Sequence, residues 1–257
     1  MDHPQSARRI RAYMNPYGVT RLHLRNPWVI AFFSFSFPGF GHLLLERYLP
    51  AIILAGWEIF INTKANVNSG ILYSLLGDFD KAKEVLDSKW LLLYVGIYMF
   101  TIWDSYRKTV DLNKQYILAD REDAWMPHMR ISALDINYMD KRNPLLALVW
   151  SVLAPGLGHL YVHKIVTGFL VFAFTVALIF QSHLLPAIHQ TFVGDFEGAR
   201  ALLDMQWTLY LPSMYSFIFY DAYVTAVEDN VLFEKEQSQF LRTQYQHPSF
   251  PIPEQDR

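Results

Sequence analysis

Two histidine and aspartate sets stand out by type and spacing: His42 with Asp104, and His159 with Asp221, the second set lying 117 positions after the first. Imidazole beside carboxylate can hold a proton, orient a base or ligate metal. Each histidine closes a Pro-Gly-x-Gly-His turn, built on Pro38, Gly39 and Gly41 and again on Pro155, Gly156 and Gly158. The aspartates are expected to end the third apolar helix of each half, where a carboxylate opposes the helix dipole and needs a partner. Arg107 can serve Asp104, but Val224 stands at the equivalent place, so the partner common to both is the histidine of the same half. The expected pairs are His42 with Asp104 and His159 with Asp221, as fold-closing contacts or as a metal or proton site.

A second candidate is the polar series Glu58, Asn62 and Asn66, spaced four apart and so on one face of a helix. Its counterparts are Thr175, Ile179 and His183, so the stripe belongs to one half alone. An acid inside a membrane helix usually faces a bundle interior or a wet cavity, which makes these residues a candidate solute path. The alternative is a structural Glu58 near an interface or paired with Lys64.

Other chemistries lack their residues. No phosphate-cradling glycine loop, His-Glu-x-x-His or Gly-x-Ser-x-Gly occurs. Ser34 and Ser151 precede the turn by four residues, without a nameable oxyanion donor or third member. The absence of cysteine excludes disulfides and thiolate chemistry. A net charge of −2 argues against nucleic acid. No catalytic residue, metal or cofactor is assigned.

The elements that position these groups follow from composition. Only 18% of residues are charged against 52% hydrophobic, and charge is absent from 28–45, 91–103, 144–162, 165–180 and 207–220 and limited to Glu58 across 49–61. Several runs approach the ~20 apolar residues of a membrane crossing. Trp and Tyr cluster at their ends, where the headgroup layer favours them. The expected fold is all-α, a polytopic helical membrane bundle of the cell membrane. Arg8, Arg9, Arg11, Arg21 and Arg25 precede the first run, with no cleavage site after it, so the N-terminus is placed in the cytoplasm.

The 117-residue offset also relates Asn26-Pro27 to Asn143-Pro144, Gly77-Asp78-Phe79 to Gly194-Asp195-Phe196, and Trp90 to Trp207 without insertion. Even spread of such identities marks an internal duplication. The expected divisions are a basic N-terminal segment 1–25, membrane repeat 26–111, polar linker 112–142, membrane repeat 143–228 and polar tail 229–257. Asn-Pro opens the first helix of each repeat. Asp78 and Asp195 are expected to cap short amphipathic surface helices. Polar helix is expected over 110–121 and 227–242, and disorder around Pro248, Pro251 and Pro253.

The run 145–168, with small residues before Pro-Gly-Leu-Gly-His-Leu-Tyr and a later glycine opening the next helix, resembles the TM2 domain, a two-helix membrane hairpin. The whole unit, with Trp-Asp-Ser-Tyr-Arg at 103–107, is similar to a family of uncharacterised bacterial integral membrane proteins. The TM2 likeness covers two helices per unit, lacks that domain's Asp-Arg-Phe turn, and implies a membrane hairpin without an activity.

Two topologies are open. Three crossings per repeat give six spans and inverted halves, which the length of 28–45 favours. If that run and its copy are re-entrant at Pro-Gly-x-Gly, each repeat crosses twice and the halves are parallel, with Lys and Arg distributed 17 inside and 5 outside among the 22. The expected function is a non-enzymatic scaffold, assembly or regulatory partner, contacting the bilayer and protein partners through the linker and tail. The alternative is a small transporter or channel with its path at the repeat interface; an intramembrane enzyme is the third reading.

Overall fold

The computed structural model describes residues 9–122, 129–133 and 135–246. The chain opens on an antiparallel hairpin, β1 (Ala12–Asn15) and β2 (Gly18–Arg21), with Ala12 opposite Arg21. There follow α1 (Pro27–Ser36), α2 (Phe40–Leu44), α3 (Tyr48–Ala65), α4 (Val67–Leu75), α5 (Phe79–Val85) and the long α6 (Ser88–Arg121). A second hairpin, β3 (Met129–Ile131) and β4 (Ile136–Tyr138), precedes α7 (Pro144–Leu153), α8 (Leu157–Tyr161), α9 (Ile165–Gln181), α10 (Leu184–Phe192), α11 (Phe196–Leu202), α12 (Met205–Thr208) and α13 (Tyr210–Tyr245). The protein is mostly helical.

The 117-residue offset relates the element starts: Ala12 to Met129, Pro27 to Pro144, Phe40 to Leu157, Tyr48 to Ile165, Phe79 to Phe196 and Ser88 to Met205. The correspondence therefore begins at the hairpins, inside the stretches expected to be an N-terminal segment and a linker. The expected boundaries at 111 and 228 also fall within α6 and α13, which contain no proline or glycine there to stop them. One break is asymmetric. Pro212 has no N–H to bond the carbonyl of Thr208, so α12 and α13 are separate where α6, with Val95, is continuous.

The local rules at the helix starts are simple. Asn26 and Asn143 accept from the amides of Trp28 and Leu145 at 2.9 Å, with proline in the first turn. Asp78 accepts from the Lys81 amide at 3.1 Å and Asp195 from the Gly198 amide at 2.8 Å, opening α5 and α11.

The first apolar run of each half folds back instead of passing through. Pro38 and Gly39, the latter at φ +104°, end α1 and reverse the chain, and Pro155 with Gly156 at φ +95° do the same after α7. The return is tight: a Cβ on Gly41 would meet Ser34 Oγ at 2.1 Å and the Ile30 carbonyl at 2.5 Å, and one on Gly158 would meet Ser151 Oγ at 2.0 Å. Leu45 and Glu46 line a recess with Leu22, His23 and Arg25, next to the entry of α1. The amide of Asn143 likewise donates to the Tyr161 hydroxyl at 3.2 Å, and the Arg142 guanidinium to the Tyr161 carbonyl. Length suggested one continuous helix over 28–45, but the glycines let the chain break there and pack against itself.

From that end α3 runs to the opposite one, α4 and α5 turn there, and α6 returns; α9 to α13 repeat the path. The amide of Asp87 bonds the carbonyl of Ala65 at 3.2 Å, and that of Asp204 bonds Ser182 at 3.2 Å, closing the far end of each half. The main core joins the halves through aromatic contacts, with Phe40 stacked on both Phe37 and Phe217 at 4.5 Å between centroids.

Beside this apolar core, several large apolar side chains face outward and several polar ones lie inside. Trp28, Leu49, Leu92, Leu145, Phe169 and Phe180 are each 60% or more exposed, while Ser34, Asn62, Thr101, Ser105, Thr109 and Thr175 are buried. Among the described residues no single helix is long and apolar enough to cross a membrane; α5 with α6, bent by 91°, and α9 with α10, bent by 61°, meet the length and composition together.

The hairpins and the polar ends of α6 and α13 form a charged cap. Arg11 pairs with Asp120 at 2.9 Å, Arg25 with Glu228 at 3.2 Å and Lys141 with Glu234 at 2.7 Å; Arg9 with Glu122 and Arg21 with Asp229 are further pairs. Asn113 accepts from the Arg25 amide at 3.0 Å and donates to its carbonyl at 2.8 Å; Asn230 does the same for Arg142 at 2.7 and 2.8 Å. The proline-containing end around Pro248, Pro251 and Pro253 lies outside the described residues, as does Arg8.

Candidate functional site

Two polar constellations lie within the helical body. In the first, α2 carries His42 to α6, where Nε2 is 3.1 Å from Asp104 Oδ2; α8 carries His159 to α13, also 3.1 Å from Asp221 Oδ2. Both expected pairs come together. The aspartates are not at helix ends, however, because α6 and α13 continue for several more turns. Burial, rather than an opposed dipole, is what requires a partner.

Each pair has a cationic third member at equivalent positions. Arg47 reaches Asp104 Oδ2 at 3.4 Å, and Lys164 reaches both oxygens of Asp221 at 2.8 and 2.9 Å. The available signal was the charged step after each turn, which conserves a cation while changing its identity. Arg107 adds a contact to Asp104 at 3.3 Å, as its spacing suggested. The two sets differ in hydration: the side chains of Asp221 and Lys164 are 1% and 6% exposed, those of Asp104 and Arg47 11% and 33%. Each carboxylate is thus occupied by an imidazole and a cation, leaving it poorly placed to ligate a metal. Among the described residues no cluster of three or more His, Cys, Asp and Glu could hold one.

Neither serine joins its histidine. Ser151 donates to the carbonyl of Ala147 at 3.0 Å, and the Ser34 hydroxyl makes no hydrogen bond. The arrangement lacks a nucleophile activated by a base. Its geometry instead fastens the returning α2 and α8 to α6 and α13.

The second constellation surrounds Glu58 on α3. Asn62 Nδ2 donates to Glu58 Oε1 at 2.8 Å, and the Tyr94 hydroxyl of α6 to the same oxygen at 3.3 Å. Asn62 Oδ1 accepts from the Asn68 amide at 3.1 Å and from Gln206 Nε2 at 2.7 Å, and Asn68 Nδ2 donates to the Gln206 carbonyl at 2.8 Å. The network therefore crosses from the first half to α12 of the second.

Asn66 is not part of it. The helix ends at Ala65, Asn66 takes the left-handed conformation at φ 53°, and its exposed side chain donates to the Val85 carbonyl at 3.2 Å. Extending the four-residue spacing assumed a helix that stops one residue earlier; Asn68 and Gln206 take its place. Gln206 was not legible from spacing, since it comes from the other half. Lys64 is exposed and does not pair with Glu58, which forms no ion pair among the described residues. The equivalents of Glu58, Asn62, Asn68 and Gln206 are Thr175, Ile179, Leu185 and Lys89, so the network is singular despite the repeated frame.

Between the halves there is also a recess of about 260 Å³, lined by apolar residues including Phe40, Ala51, Ala55, Val171 and Phe174. No family model, curated protein or solved structure matches this chain.

Proposed function

We propose that this is a non-enzymatic integral membrane protein, a scaffold or assembly partner in the cell membrane, with two parallel halves. The observation that carries the reading is the burial pattern: large apolar side chains such as Trp28, Leu92 and Phe180 cover the outside of the helical body, while the polar groups around Asp104, Asp221 and Glu58 are buried within it. Each half crosses twice, through α3 and the first part of α6, then through α9 and the first part of α13. The 18 residues of α3 measure about 27 Å, near the ~30 Å of hydrocarbon. The returning α1–α2 and α7–α8 hairpins enter from the capped side, and burial of every residue of α2 supplies the protein environment that a re-entrant backbone needs.

The charged cap is then cytoplasmic, with the N-terminus. Of 22 Lys and Arg, five (Lys64, Lys81, Lys83, Lys89 and Arg200) belong to the far side, leaving 17 for the cytoplasmic side. The resemblance to the TM2 hairpin and to bacterial integral membrane proteins belongs to this reading through the Pro-Gly-x-Gly-His turns. Scaffolding is favoured over catalysis by the compensated His-Asp-cation sets. The last turns of α13, where Phe240, Leu241 and Tyr245 are exposed, offer a surface for a protein partner.

Single cysteines at Asp78 and Asp195 test the topology without any background, since the chain has none. Both should react with an impermeant reagent applied from outside intact cells; reaction of one but not the other would refute parallel halves. Proteoliposomes should move no solute or ion beyond empty vesicles. The transport reading, favoured by the buried Glu58 network at the junction of the halves, would replace scaffolding if Glu58-dependent flux were measured.

A further inference from the structure

We propose that Glu58 is a reversible proton-binding site at the junction of the two halves, with its proton on Oε2. Glu58 is 3% exposed in the protein alone, so the inference stands independently of the membrane reading. The two donors that reach its carboxyl, Asn62 Nδ2 and the Tyr94 hydroxyl, both converge on Oε1. Oε2 is buried and receives none. An ionised carboxylate spreads its charge over two equivalent oxygens and draws donors to both. A carboxylic acid has one carbonyl oxygen, which accepts, and one hydroxyl, which donates. Oε2 has no partner of either kind, so the acid leaves one buried O–H unpaired where the anion would leave a whole charge unmatched, the larger cost.

Among the described residues none supplies a counter-charge to Glu58. The titratable groups that feel Glu58 are the phenols of Tyr94 and Tyr98 on α6 and of Tyr210 on α13. On α3 itself Lys64 points to solvent, and the contacts from α4 and α12 are the neutral Asn68 and Gln206. The phenol of Tyr210 is also buried and unpartnered. A single anion here would be uncompensated, which is costly in a low-dielectric interior.

The reaction is Glu58–COOH giving Glu58–COO⁻ and a proton released to solvent. Loss of the proton would place a charge against the Asn62–Asn68–Gln206 network, the polar tie between the halves. This is a singular site, because Thr175 occupies the equivalent position in the second half.

A hydrophobic carbodiimide tests it on the full-length protein in liposomes. The protonated carboxyl adds across one N=C bond, its proton passes to nitrogen, and the O-acylisourea rearranges to a stable N-acylurea that retains the whole reagent mass. Peptide mapping should find the adduct on Glu58 but not on the fully exposed Asp80, and labelling should fall about tenfold per pH unit above the site's midpoint. The adduct should be lost in Glu58→Gln and unaffected by sodium ions. A pH-difference infrared spectrum of the wild-type protein needs no variant and should contain the carbonyl stretch of a buried carboxylic acid. No adduct on Glu58 at any pH, pH-independent labelling, protection by sodium, or absence of the acid carbonyl band would each overturn the proposal.

Discussion

Replacing Asp221 with asparagine removes the charge that compensates Lys164, whose side chain is only 6% exposed. Lys164 has two contacts to that carboxylate, at 2.8 and 2.9 Å, and His159 leans on it at 3.1 Å. Breaking one partner of such a buried pair costs about 3–5 kcal/mol, because the other charge stays buried without compensation. The equivalent Asp104→Asn should cost less, about 1–2 kcal/mol, since Arg47 and Arg107 are 33% and 48% exposed and turn to water instead. At about 2–4 °C per kcal/mol for a chain near this size, the two variants should separate by several degrees in thermal unfolding of the purified protein. The double variant Asp221→Asn with Lys164→Met should recover most of the loss, because it leaves no uncompensated charge buried. Equal destabilisation by the two asparagine variants, or no recovery in the double variant, would refute the claim that burial sets the difference between the two sets.

The turn and the cap make their own predictions. Gly41→Ala puts a methyl within 2.5 Å of the rigid Ile30 carbonyl, so it should destabilise by about 1–3 kcal/mol, whereas Gly56→Ala, with open space around it, should be tolerated; thermal unfolding compares them. In the cap, burial lowers the His23 pKa below 6.5 despite the Glu228 carboxylate 2.6 Å away. Glu228 is lowered below 4.5 because the His23 hydrogen bond and the Arg25 charge outweigh burial, which raises it. For His23 the unfolded chain takes up the proton first, so its contribution is lost as pH falls below 6.5 toward the folded value; for Glu228 the contribution holds above 4.5 and is lost through its folded value. Both act in one direction: with the intrinsic pH dependence of amide exchange divided out, acidification from above to below pH 6.5 should lower the protection factor of the Arg25 amide, and His23→Phe should remove the first part of that dependence.

Much of this protein was legible because its sequence states its plan twice. Local signals determined the Asn-Pro helix starts, the Asp78 and Asp195 caps, and the Pro-Gly breaks, since each depends on a few adjacent residues. Comparison of the halves determined the His42–Asp104 and His159–Asp221 pairs, because a partner required by both had to recur in both. The four-residue spacing does not extend to Asn66, because a left-handed residue one position past Ala65 redirects the chain. The small hairpins escaped notice because strands of three or four residues carry too little alternation to read.

Tertiary structure alone decided three things. Whether 28–45 runs on as one helix or breaks and packs back depended on Gly41 meeting Ser34 and Ile30, a contact that apolar length does not encode. The cationic members Arg47 and Lys164 became part of the His-Asp sets only when the returning chain brought them to α6 and α13. Gln206 entered the Glu58 network from the other half, 144 positions from Asn62. Sequence spacing ranks neighbours along one helix, whereas a buried polar group takes its partner from whatever the packing brings beside it, because leaving it unpaired costs more than the distance along the chain.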